Sequence, residues 1–351
     1  MAHHPWLFLL KGGLATKPAR PLRRYSGVMP ELPEVETIAN GVHARVHGTR
    51  ILRVWTSDKP QTFKSPADEI VRSLTGSRIT SVRRVGKTIV MTLNRDKTPA
   101  TSSIATPSLQ VGSADAPTEF LIHLGMTGRL LVSSPEIPLA AHTHAVLTPD
   151  DGHELLFVDP RRFGRLSIYH SETGHPEANP LVADQPKTRY PIHAASSHGW
   201  NGSADEPKGY TGPGTEPLTV SLADFTALFH PRRTPIKAAL LNQSLLHGIG
   251  NIYADESLFR ASIRPTRQAS SLTRAELACL RQSLVEVLRH AIKLGGSSVS
   301  DYVDADGARG FFQLEHRVYQ RTNQPCLVCK SPIRRIALAG RSTHFCPRCQ
   351  K

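Results

Sequence analysis

Four of the five cysteines lie in the last 26 residues of this 351-residue chain, and their spacing limits how that end can fold. They form two Cys-x2-Cys pairs separated by 16 residues, namely Cys326, Cys329, Cys346 and Cys349. Two such pairs can bring four thiolates to one tetrahedral Zn²⁺ ion at about 2.3 Å, and a pair of redox-active dithiols is the alternative. Four sulfur ligands leave no position open for a substrate. We therefore predict one structural zinc ion in a reducing compartment.

The segment around these cysteines is strongly basic. Residues 322–351 contain six Lys or Arg and no acid, and the whole chain has a formal net charge of +14. Such an excess indicates a polyanionic partner, either nucleic acid or an anionic membrane surface. No stretch approaches the roughly 18–20 continuous apolar residues of a membrane-spanning helix, which excludes an integral membrane protein. A cationic, metal-stabilised hairpin is suited to phosphate contact.

The first 28 residues differ from the rest of the chain. They contain five basic residues and no acid, and their short apolar run at 6–10 is not followed by a small-residue cleavage site. A secretory signal is therefore not indicated, whereas an Arg-rich, acid-poor leader is typical of organellar transit peptides. The favoured interpretation is that translation starts at Met29, so that residues 1–29 are a leader or a mis-assigned start.

Residues 30–170 have the pattern of an antiparallel β-sandwich or barrel. Short β-branched or apolar runs separated by turn residues predict strands at 88–93, 120–124, 145–147, 154–158 and 165–169. An amphipathic helix is predicted over residues 34–46, packed on the sheet. A stretch rich in Ser, Thr, Ala and Pro, residues 94–118, is predicted to be a surface insertion between two strands.

The composition changes after this domain. Residues 171–217 contain seven prolines and six glycines, which is typical of a linker or mobile insertion. We place the domain boundary there. Residues 218–321 then have a helical hydrophobic period, and residues 322–351 are the predicted zinc finger.

Three signals locate helices in the region after the boundary. Ser221 precedes a short helix that ends near His230, and Thr234 before a proline predicts the start of another. Thr273 and Glu276 have the spacing of a capping box. The long helix that follows is predicted to bury one apolar stripe and to stop at two glycines, with the stripe at Leu277, Leu280, Leu284, Val287 and Ala291. Cys279 in the same helix is predicted to be a core or half-buried thiol.

A loop with two glycines, His247-Gly248-Ile249-Gly250-Asn251, precedes a further helix. Its glycines allow close backbone approach, Asn251 can cap the helix, and the free N–H groups at the helix start can bind an anion. A simple helix–turn–helix connection would use similar residues. Three basic residues lie just upstream, namely Arg232, Arg233 and Lys237. With them, a phosphate-binding helix pair and the simpler connection are equally supported.

The segment Asp159-Pro160-Arg161-Arg162-Phe163-Gly164 places one aromatic ring beside two guanidinium groups at the start of a strand. Such a group can enter a base stack and replace lost pairing, although an ordinary charged turn has the same composition. The segment at 123–128 is similarly ambiguous. Met126 could insert between bases, but a methionine is more often a core residue.

Pro30 has two possible roles that depend on where the chain begins. If Met29 starts the chain and is removed, Pro30 carries an N-terminal amine, for which an ordinary pKa is about 7.7–8.0 against about 10.4 for lysine. Such an amine is partly unprotonated at neutral pH and can attack an electrophilic carbon, with Glu31 and Glu34 in reach as proton donors. If residues ahead of Pro30 remain, its nitrogen is an amide and not a nucleophile. The prolines and glutamates then only mark a helix start.

Taken together, these segments resemble the formamidopyrimidine-DNA glycosylase family, the bifunctional 8-oxoguanine glycosylases of bacteria. The matching segments follow the family order, and they are PELPEVE at 30–36, RRVGK at 83–87, HLGMTG at 123–128, DPRRFGRL at 159–166, HGIGNIYADE at 247–256, GGSSVSDY at 295–302 and GRSTHFCPRCQ at 340–350. Residues 1–28, 94–118 and 171–217 fall outside the resemblance. The implied fold is α+β and multidomain, with an N-terminal two-layered β-sandwich, a helix–two-turn–helix domain and a C-terminal zinc-finger β-hairpin.

The resemblance also implies catalytic roles. Pro30 would attack the deoxyribose C1′ carbon, expel the damaged base and form a Schiff base, and Glu31 would supply the proton for sugar-ring opening. Lys87 would contact the lesion phosphate and donate a proton in β-elimination. Arg341, beside the zinc site, would bind phosphate and serve δ-elimination. A covalent imine of this kind divides one difficult step into easier ones.

The implied partner is double-stranded damaged DNA, bound by a monomer that needs one structural Zn²⁺ and no other cofactor. By resemblance, Met126, Arg161 and Phe163 would fill the space left when the damaged nucleotide leaves the stack. Further DNA contacts are assigned to polar and basic residues, which are His142, Arg161, Arg232, Asn251 and, as a basic neighbour, Lys237. His144 is the alternative to His142, because it offers an imidazole two residues away.

Two other functions remain open from the sequence. The sister class that excises oxidised pyrimidines is one, although the opening at residues 31–34 and the arrangement of Arg161 and Phe163 favour the purine-repair branch. A catalytically inactive DNA-damage-binding protein is the other, if residues 1–28 are retained. We expect a location in the bacterial cytoplasm with the nucleoid, with organellar targeting by residues 1–28 as the alternative.

Overall fold

The computed structural model describes residues 29–95, 118–170, 209–299 and 302–351. The leader 1–28, most of the insertion 94–118 and residues 171–208 lie outside the described residues. Within the described ranges the chain forms two antiparallel four-stranded sheets, a group of helices and a C-terminal two-stranded hairpin. The α+β multidomain fold class is therefore confirmed.

The elements follow in a simple order. The helices are α1 (Leu32–Val46), α2 (Ala67–Leu74), α3 (Leu222–Phe229), α4 (Ile236–Leu240), α5 (Asn251–Arg260) and α6 (Arg274–Lys293). The strands are β1 (Ile51–Thr56), β2 (Arg78–Val85), β3 (Thr88–Asn94), β4 (Thr118–His123), β5 (Arg129–Ser133), β6 (Thr143–Pro149), β7 (Glu154–Val158), β8 (Arg165–His170), β9 (Arg334–Leu338) and β10 (Arg341–Phe345).

The two large sheets have the strand orders β1-β6-β7-β5 and β2-β3-β4-β8. Their inner faces and one face of α1 share a single hydrophobic core, which includes Val35, Ile38, Phe120 and Phe157. All five predicted strands are present, and the predicted helix begins two residues earlier than expected, at Leu32. The sequence pattern did not reveal α2, β1, β2 or β5. In β1 and β2, arginines and half-exposed positions interrupt the alternation that marks a strand.

The helices build a second core. Leu32, at the start of α1, packs in this core together with Phe225, Phe229 and Tyr253, whereas the rest of α1 packs in the first. The Ser221 cap of α3 is confirmed, as are the capping box and buried stripe of α6.

Two local predictions in the helical part are wrong. Helix α4 begins at Ile236 with Pro235 at the N-cap, so Thr234 does not cap it. Cys279 is exposed, because it lies on a different face of α6 from the buried apolar stripe. Neither difference changes the packing of α5 and α6, which carry the core.

The predicted linker at 171–217 is wrong for its C-terminal end. Tyr210 is buried, and its backbone N–H donates to a carboxylate oxygen of Glu119 on β4 at 2.5 Å. Thr215 donates its N–H to the carbonyl of Leu245 at 3.0 Å. Residues 209–217 are therefore hydrogen-bonded to the β-sandwich at one end and to the helical part at the other.

No helix in the described ranges combines the length and apolar character needed to cross a membrane.

Candidate active site

The predicted nucleophile segment lies against the glycine loop that precedes α5. The N–H of Leu32 donates to the carbonyl of Gly248 at 3.0 Å, and Pro30 is buried. Gly250 leaves room for the carboxyl group of Glu31, because a Cβ atom there would overlap that group. Two motifs that are more than 200 residues apart in sequence thus form one site.

The carboxylate of Glu31 occupies the N-terminal end of α5. It accepts the backbone N–H groups of Ile252 at 3.1 Å and Tyr253 at 3.4 Å. These N–H groups have no partner within the helix and carry its positive end, which suits an anion. Binding of an anion was one of the two interpretations of this loop, with Asn251 as a possible cap. The structure corrects this prediction, since Gly250 is at the N-cap and Glu31 is the anion.

The environment of Glu31 brings its pKa close to neutral pH. Burial raises the pKa of this carboxyl to about 7, the Lys87 ammonium opposes the rise, and Glu34 adds to it. A carboxylic acid with a pKa near neutral pH can both hold and release a proton at working pH. Glu31 is thus suited to proton transfer beside Pro30.

Glu34 organises the same end of α1. One oxygen accepts the backbone N–H of Glu31 at 2.9 Å, and the other accepts the N–H of Ser297 at 2.7 Å and the hydroxyl of Tyr253. Burial also raises the pKa of Glu34. Tyr253 and Ser297 were not predicted as site residues, because only the fold brings them to Glu34.

Lys87 lies in the turn between β2 and β3, where Gly86 has a positive φ of 61°. The lysine is half-buried, and burial lowers its pKa while Glu31 raises it and Arg341 lowers it. The charges of Lys87, Glu31 and Arg341 therefore interact, although the three residues come from three different parts of the chain. This is the grouping that the sequence predicted.

Arg341 is exposed at the start of β10, just after a hairpin turn at Gly340 with φ of 74°. The hairpin is attached to the helical domain through a buried ion pair. The Lys237 ammonium contacts Asp255 at 2.7 Å and donates to the carbonyl of Ser342 at 2.9 Å. Asp255 also accepts the backbone N–H of His344 at 2.9 Å.

The prediction that Lys237 binds DNA is wrong. Its side chain is fully buried, and its charge is already compensated by Asp255. A buried, paired ammonium cannot reach an external phosphate without breaking that pair. Lys237 instead fixes the position of the hairpin that carries Arg341.

The other predicted contacts on the helical domain are accessible. Arg232 is half-buried and uses its Nε to donate to the carbonyl of Leu228 at 3.1 Å. Asn251 is half-buried, with its amide nitrogen 3.5 Å from the Ser342 hydroxyl. Asn251 therefore lies next to the hairpin of Arg341.

Met126, Arg161 and Phe163 lie on two loops that pack directly together. A Cβ atom on Gly125 would lie 2.5 Å from the carbonyl carbon of Phe163, so glycine is required for this approach. The Arg161 guanidinium stands over the Phe163 ring at 4.7 Å, and Phe163 is 47% exposed. The structure thus brings the three predicted residues together at the surface, with Met126 half-buried.

The buried carboxylate of Asp159 shapes this pair of loops. It accepts the hydroxyl of Thr127 at 2.5 Å and the backbone N–H groups of Arg161 at 3.2 Å and Gly164 at 2.7 Å. Asp159 was not predicted as a functional residue. Its position before a Pro-Arg-Arg turn is the signal that could have identified it, since aspartate commonly orders the turn that follows it.

The structure distinguishes between the two candidate histidines. His142 is exposed and has a positive φ of 66°. His144 is buried and bonded through both ring nitrogens, to Ser57 at 3.0 Å and to the carbonyl of Asp159 at 3.0 Å. His142 is therefore the one that is free to meet a ligand.

The four C-terminal cysteines form the predicted metal site. Their sulfur atoms all lie within 4.8 Å of one another. The distances are 3.9 Å between Cys326 and Cys349 and 3.4 Å between Cys329 and Cys346. A tetrahedral ion with bonds of about 2.3 Å requires sulfur separations of about 3.8 Å. The residues therefore fit one structural Zn²⁺ ion.

Three family models match the chain in succession. The Formamidopyrimidine-DNA glycosylase N-terminal domain matches residues 29–166, and the Formamidopyrimidine-DNA glycosylase H2TH domain matches residues 213–303. The zinc finger found in FPG and IleRS matches residues 323–351. These matches cover the sandwich, the helical domain and the zinc hairpin.

Similar proteins match over the same part of the chain. The formamidopyrimidine-DNA glycosylase of Solibacter usitatus is 40% identical over 323 residues, which are 92% of this chain and 100% of that protein. Among solved structures, a Lactococcus lactis FPG mutant in complex with Fapy-dG containing DNA has a TM-score of 0.71 and 27% identity, covering 92% of this chain and 100% of that one. The Thermus thermophilus FPG protein has a TM-score of 0.68 and 35% identity, covering 92% and 98%. The chain belongs to the formamidopyrimidine-DNA glycosylase family.

Proposed function

We propose that this protein is a bifunctional DNA glycosylase and AP lyase that excises oxidised purines through an N-terminal Pro30. The observation that carries the proposal is the convergence of Glu34 and Lys87 on Glu31, the residue that follows the buried Pro30. Perturbed acids and bases grouped in this way are typical of catalytic sites. The form that acts begins at Pro30, because only a free amine has an electron pair available for attack.

Pro30 and Glu31 supply the nucleophile and the proton donor of the covalent step. The Pro30 nitrogen forms a bond to C1′ while the glycosidic bond breaks, and the base leaves with its electron pair and takes up the proton that the Pro30 nitrogen releases. Glu31 gives a proton to the ring oxygen of the sugar, which opens and leaves a Schiff base at C1′. The pKa of Glu31 near 7 allows this transfer at neutral pH.

Strand cleavage follows by elimination. The C2′ proton passes to the Glu31 carboxylate left by ring opening as the C3′–O bond breaks and the 3′ phosphate leaves. A second elimination loses the C4′ proton to water as the C5′–O bond breaks and the 5′ phosphate leaves. Lys87 acts as a proton donor at the first step. Arg341 binds the phosphate and stabilises its charge at the second.

DNA is held by the exposed and half-buried polar residues of both domains. The damaged nucleotide must leave the stack, at a cost of a few kcal/mol. Met126, Arg161 and Phe163 fill the gap, since their two loops form one surface feature. Phosphates on either side bind to His142, Arg232, Asn251, Lys87 and Arg341.

Relatives support the class of ligand. Lactococcus lactis proteins of this family have been solved with Fapy-dG containing DNA and with abasic-site containing DNA. One such structure contains an oxidized pyrimidine in DNA. That structure favours a second candidate, the excision of oxidised pyrimidines by the same site, and a comparison of duplexes carrying each lesion separates the two.

The test is borohydride trapping with a duplex that contains 8-oxoguanine. Protein whose chain begins at Pro30 is expected to give a covalent adduct and a cleaved strand. Pro30→Gly is expected to retain much of the DNA affinity but lose most strand cleavage. Pro135→Gly, the same change in an exposed loop, is the control. Unchanged turnover in Pro30→Gly would exclude Pro30 as the nucleophile, and binding without any adduct in the parent would indicate a damage-binding protein.

A further inference from the structure

An exposed tryptophan marks a cleft that the catalytic residues do not explain. Trp55 lies on β1, which is the edge strand of its sheet among the described residues, and 49% of its side chain is exposed. The cleft has a volume of about 570 Å³ and is lined by residues 55–59 and 142–144. Exposed aromatic side chains of this size commonly mark binding surfaces, since burial of their apolar area is favourable.

The floor of the cleft is hydrogen-bonded to the loop that carries Arg161. His144 joins Ser57 to the carbonyl of Asp159 through its two ring nitrogens, each at 3.0 Å. The backbone N–H of Asp159 donates to the carbonyl of His142, also at 3.0 Å. Residues on the cleft are therefore held at a fixed position relative to the loop that enters the base stack.

The rim of the cleft carries one ammonium group and one exposed imidazole beside the aromatic ring. His142 is exposed, and Lys59 is exposed with its ammonium 2.9 Å from the carboxylate of Asp58. A pair this exposed contributes little to stability, so the ammonium can exchange the carboxylate for a phosphate. An aromatic surface beside an ammonium group and an imidazole suits the sugar and phosphate of a nucleic acid chain.

We propose that this cleft is a second DNA contact, which binds a nucleotide of the duplex outside the lesion. Trp55 packs against the sugar of that nucleotide and Lys59 binds its phosphate, next to the phosphate that His142 contacts. The inference rests on the proposed function, because it extends the same DNA path from Arg161. The neighbouring contact between Arg162 and Gln61, at 3.4 Å, joins the two surfaces on their other side.

The test measures equilibrium affinity for an 8-oxoguanine duplex with long flanks, using the full zinc-loaded protein. Trp55→Ala is expected to raise Kd about tenfold, as for the loss of one aromatic packing contact. Trp55→Phe should stay near the parental Kd. Leu52→Ala is the matched control, because Leu52 is 52% exposed on the same strand but does not line the cleft. Lys59→Gln should lower the slope of log Kd against log salt by about one.

Shortening the duplex from each end locates the contact. At one length the difference between the parent and Trp55→Ala should disappear, because the DNA no longer reaches the cleft. A Trp55→Ala protein that binds long duplexes as tightly as Leu52→Ala would overturn the proposal, as would a defect that persists on the shortest duplex. If Trp55→Ala unfolds, the salt slope of Lys59→Gln decides instead, and an unchanged slope overturns the proposal. Failure of the proposed function is a separate result, namely a parent that binds but is not trapped by borohydride.

Discussion

The phenolic hydroxyl of Tyr253 donates a hydrogen bond to Oε1 of Glu34, which joins α5 of the helical domain to α1 of the β-sandwich domain. The other oxygen of Glu34 accepts the N–H of Glu31, the residue that follows Pro30. Burial raises the pKa of Tyr253 well above its usual range, so the hydroxyl remains a donor at working pH. The position of the proposed nucleophile therefore depends on both domains.

Tyr253→Phe removes this link without changing the shape of the ring. We expect the single-turnover rate of base excision to fall about tenfold while the DNA Kd changes little, because a hydrogen bond to a charged group contributes about 1.5–3 kcal/mol. The pKa of Glu34 should also rise further, since the Tyr253 hydroxyl lowers it. The rate–pH profile should therefore change shape. Tyr169→Phe, outside the site, is the control, and an unchanged rate and profile in Tyr253→Phe would show that Tyr253 does not position the site.

The raised pKa of Glu31 predicts a limit on activity at high pH. Because Glu31 must carry the proton it donates, the rate of base excision should decline above about pH 7, approaching tenfold for each pH unit. Protonation of the Pro30 amine should limit the rate on the acidic side. Glu31→Gln should keep the fold but be nearly inactive. A rate that rises steadily to pH 9 would contradict the role of Glu31 as the acid.

The same pKa shift has a consequence for stability. A carboxyl whose pKa is raised in the folded state favours folding most below its unfolded pKa, and that contribution is lost as the pH rises through the folded value. We therefore expect the free energy of unfolding of the parent to decrease between about pH 5 and pH 7, relative to Glu31→Gln. Urea unfolding at several pH values measures this difference. Parallel pH dependences would mean that Glu31 ionises normally.

Gly250→Ala tests the steric fit of the site. The backbone at Gly250 has φ of −131°, which any residue adopts, so the only obstacle is overlap of the new Cβ with the Glu31 carboxyl group. We expect borohydride trapping to be nearly lost, because Glu31 must move away from α5. The stability cost should be about 1–3 kcal/mol. Gly152→Asn is the control, as a side chain there meets open space and asparagine tolerates its positive φ. Normal trapping by Gly250→Ala would mean that Glu31 can act from another position.

The zinc hairpin should lose its structure before the rest of the protein when the zinc ion or the Lys237–Asp255 ion pair is removed. Chelation is expected to weaken DNA binding before the β-sandwich unfolds, because the four thiolates hold the hairpin that carries Arg341. Asp255→Asn should produce a similar loss with zinc present, since it leaves the buried Lys237 charge unpaired at a cost of about 3–5 kcal/mol. Binding titrations followed alongside circular dichroism check both. DNA affinity that is insensitive to chelation would contradict a structural role for zinc.

Features that depend on local spacing could be predicted from the sequence. Thr273 and Glu276 of the capping box are three residues apart, and so are the two cysteines of each Cys-x2-Cys pair. The local geometry of each pair therefore follows from the chain itself. Strand β7 was equally direct, because one continuous run of apolar residues is bounded by turns. These elements were found with nearly correct ends.

Features that depend on distant partners could not be predicted. Glu31 meets α5 across 221 residues of sequence, and nothing local shows that a carboxylate will occupy that helix end. Lys237 has the appearance of one member of a surface basic cluster, yet the fold buries it against Asp255. In the same way, Tyr210 follows a Pro- and Gly-rich stretch but packs on the sheet. Burial and pairing of this kind are decided by tertiary structure.

The position of the covalent bond tests the central claim most directly. Fully active protein is trapped with borohydride on an 8-oxoguanine duplex, digested with nuclease and protease, and the modified peptide is sequenced by mass spectrometry. The account predicts that the modified peptide begins at Pro30 and that the sugar is attached to its nitrogen. A modified lysine, or fully active protein in which Met29 or earlier residues still precede Pro30, would contradict it.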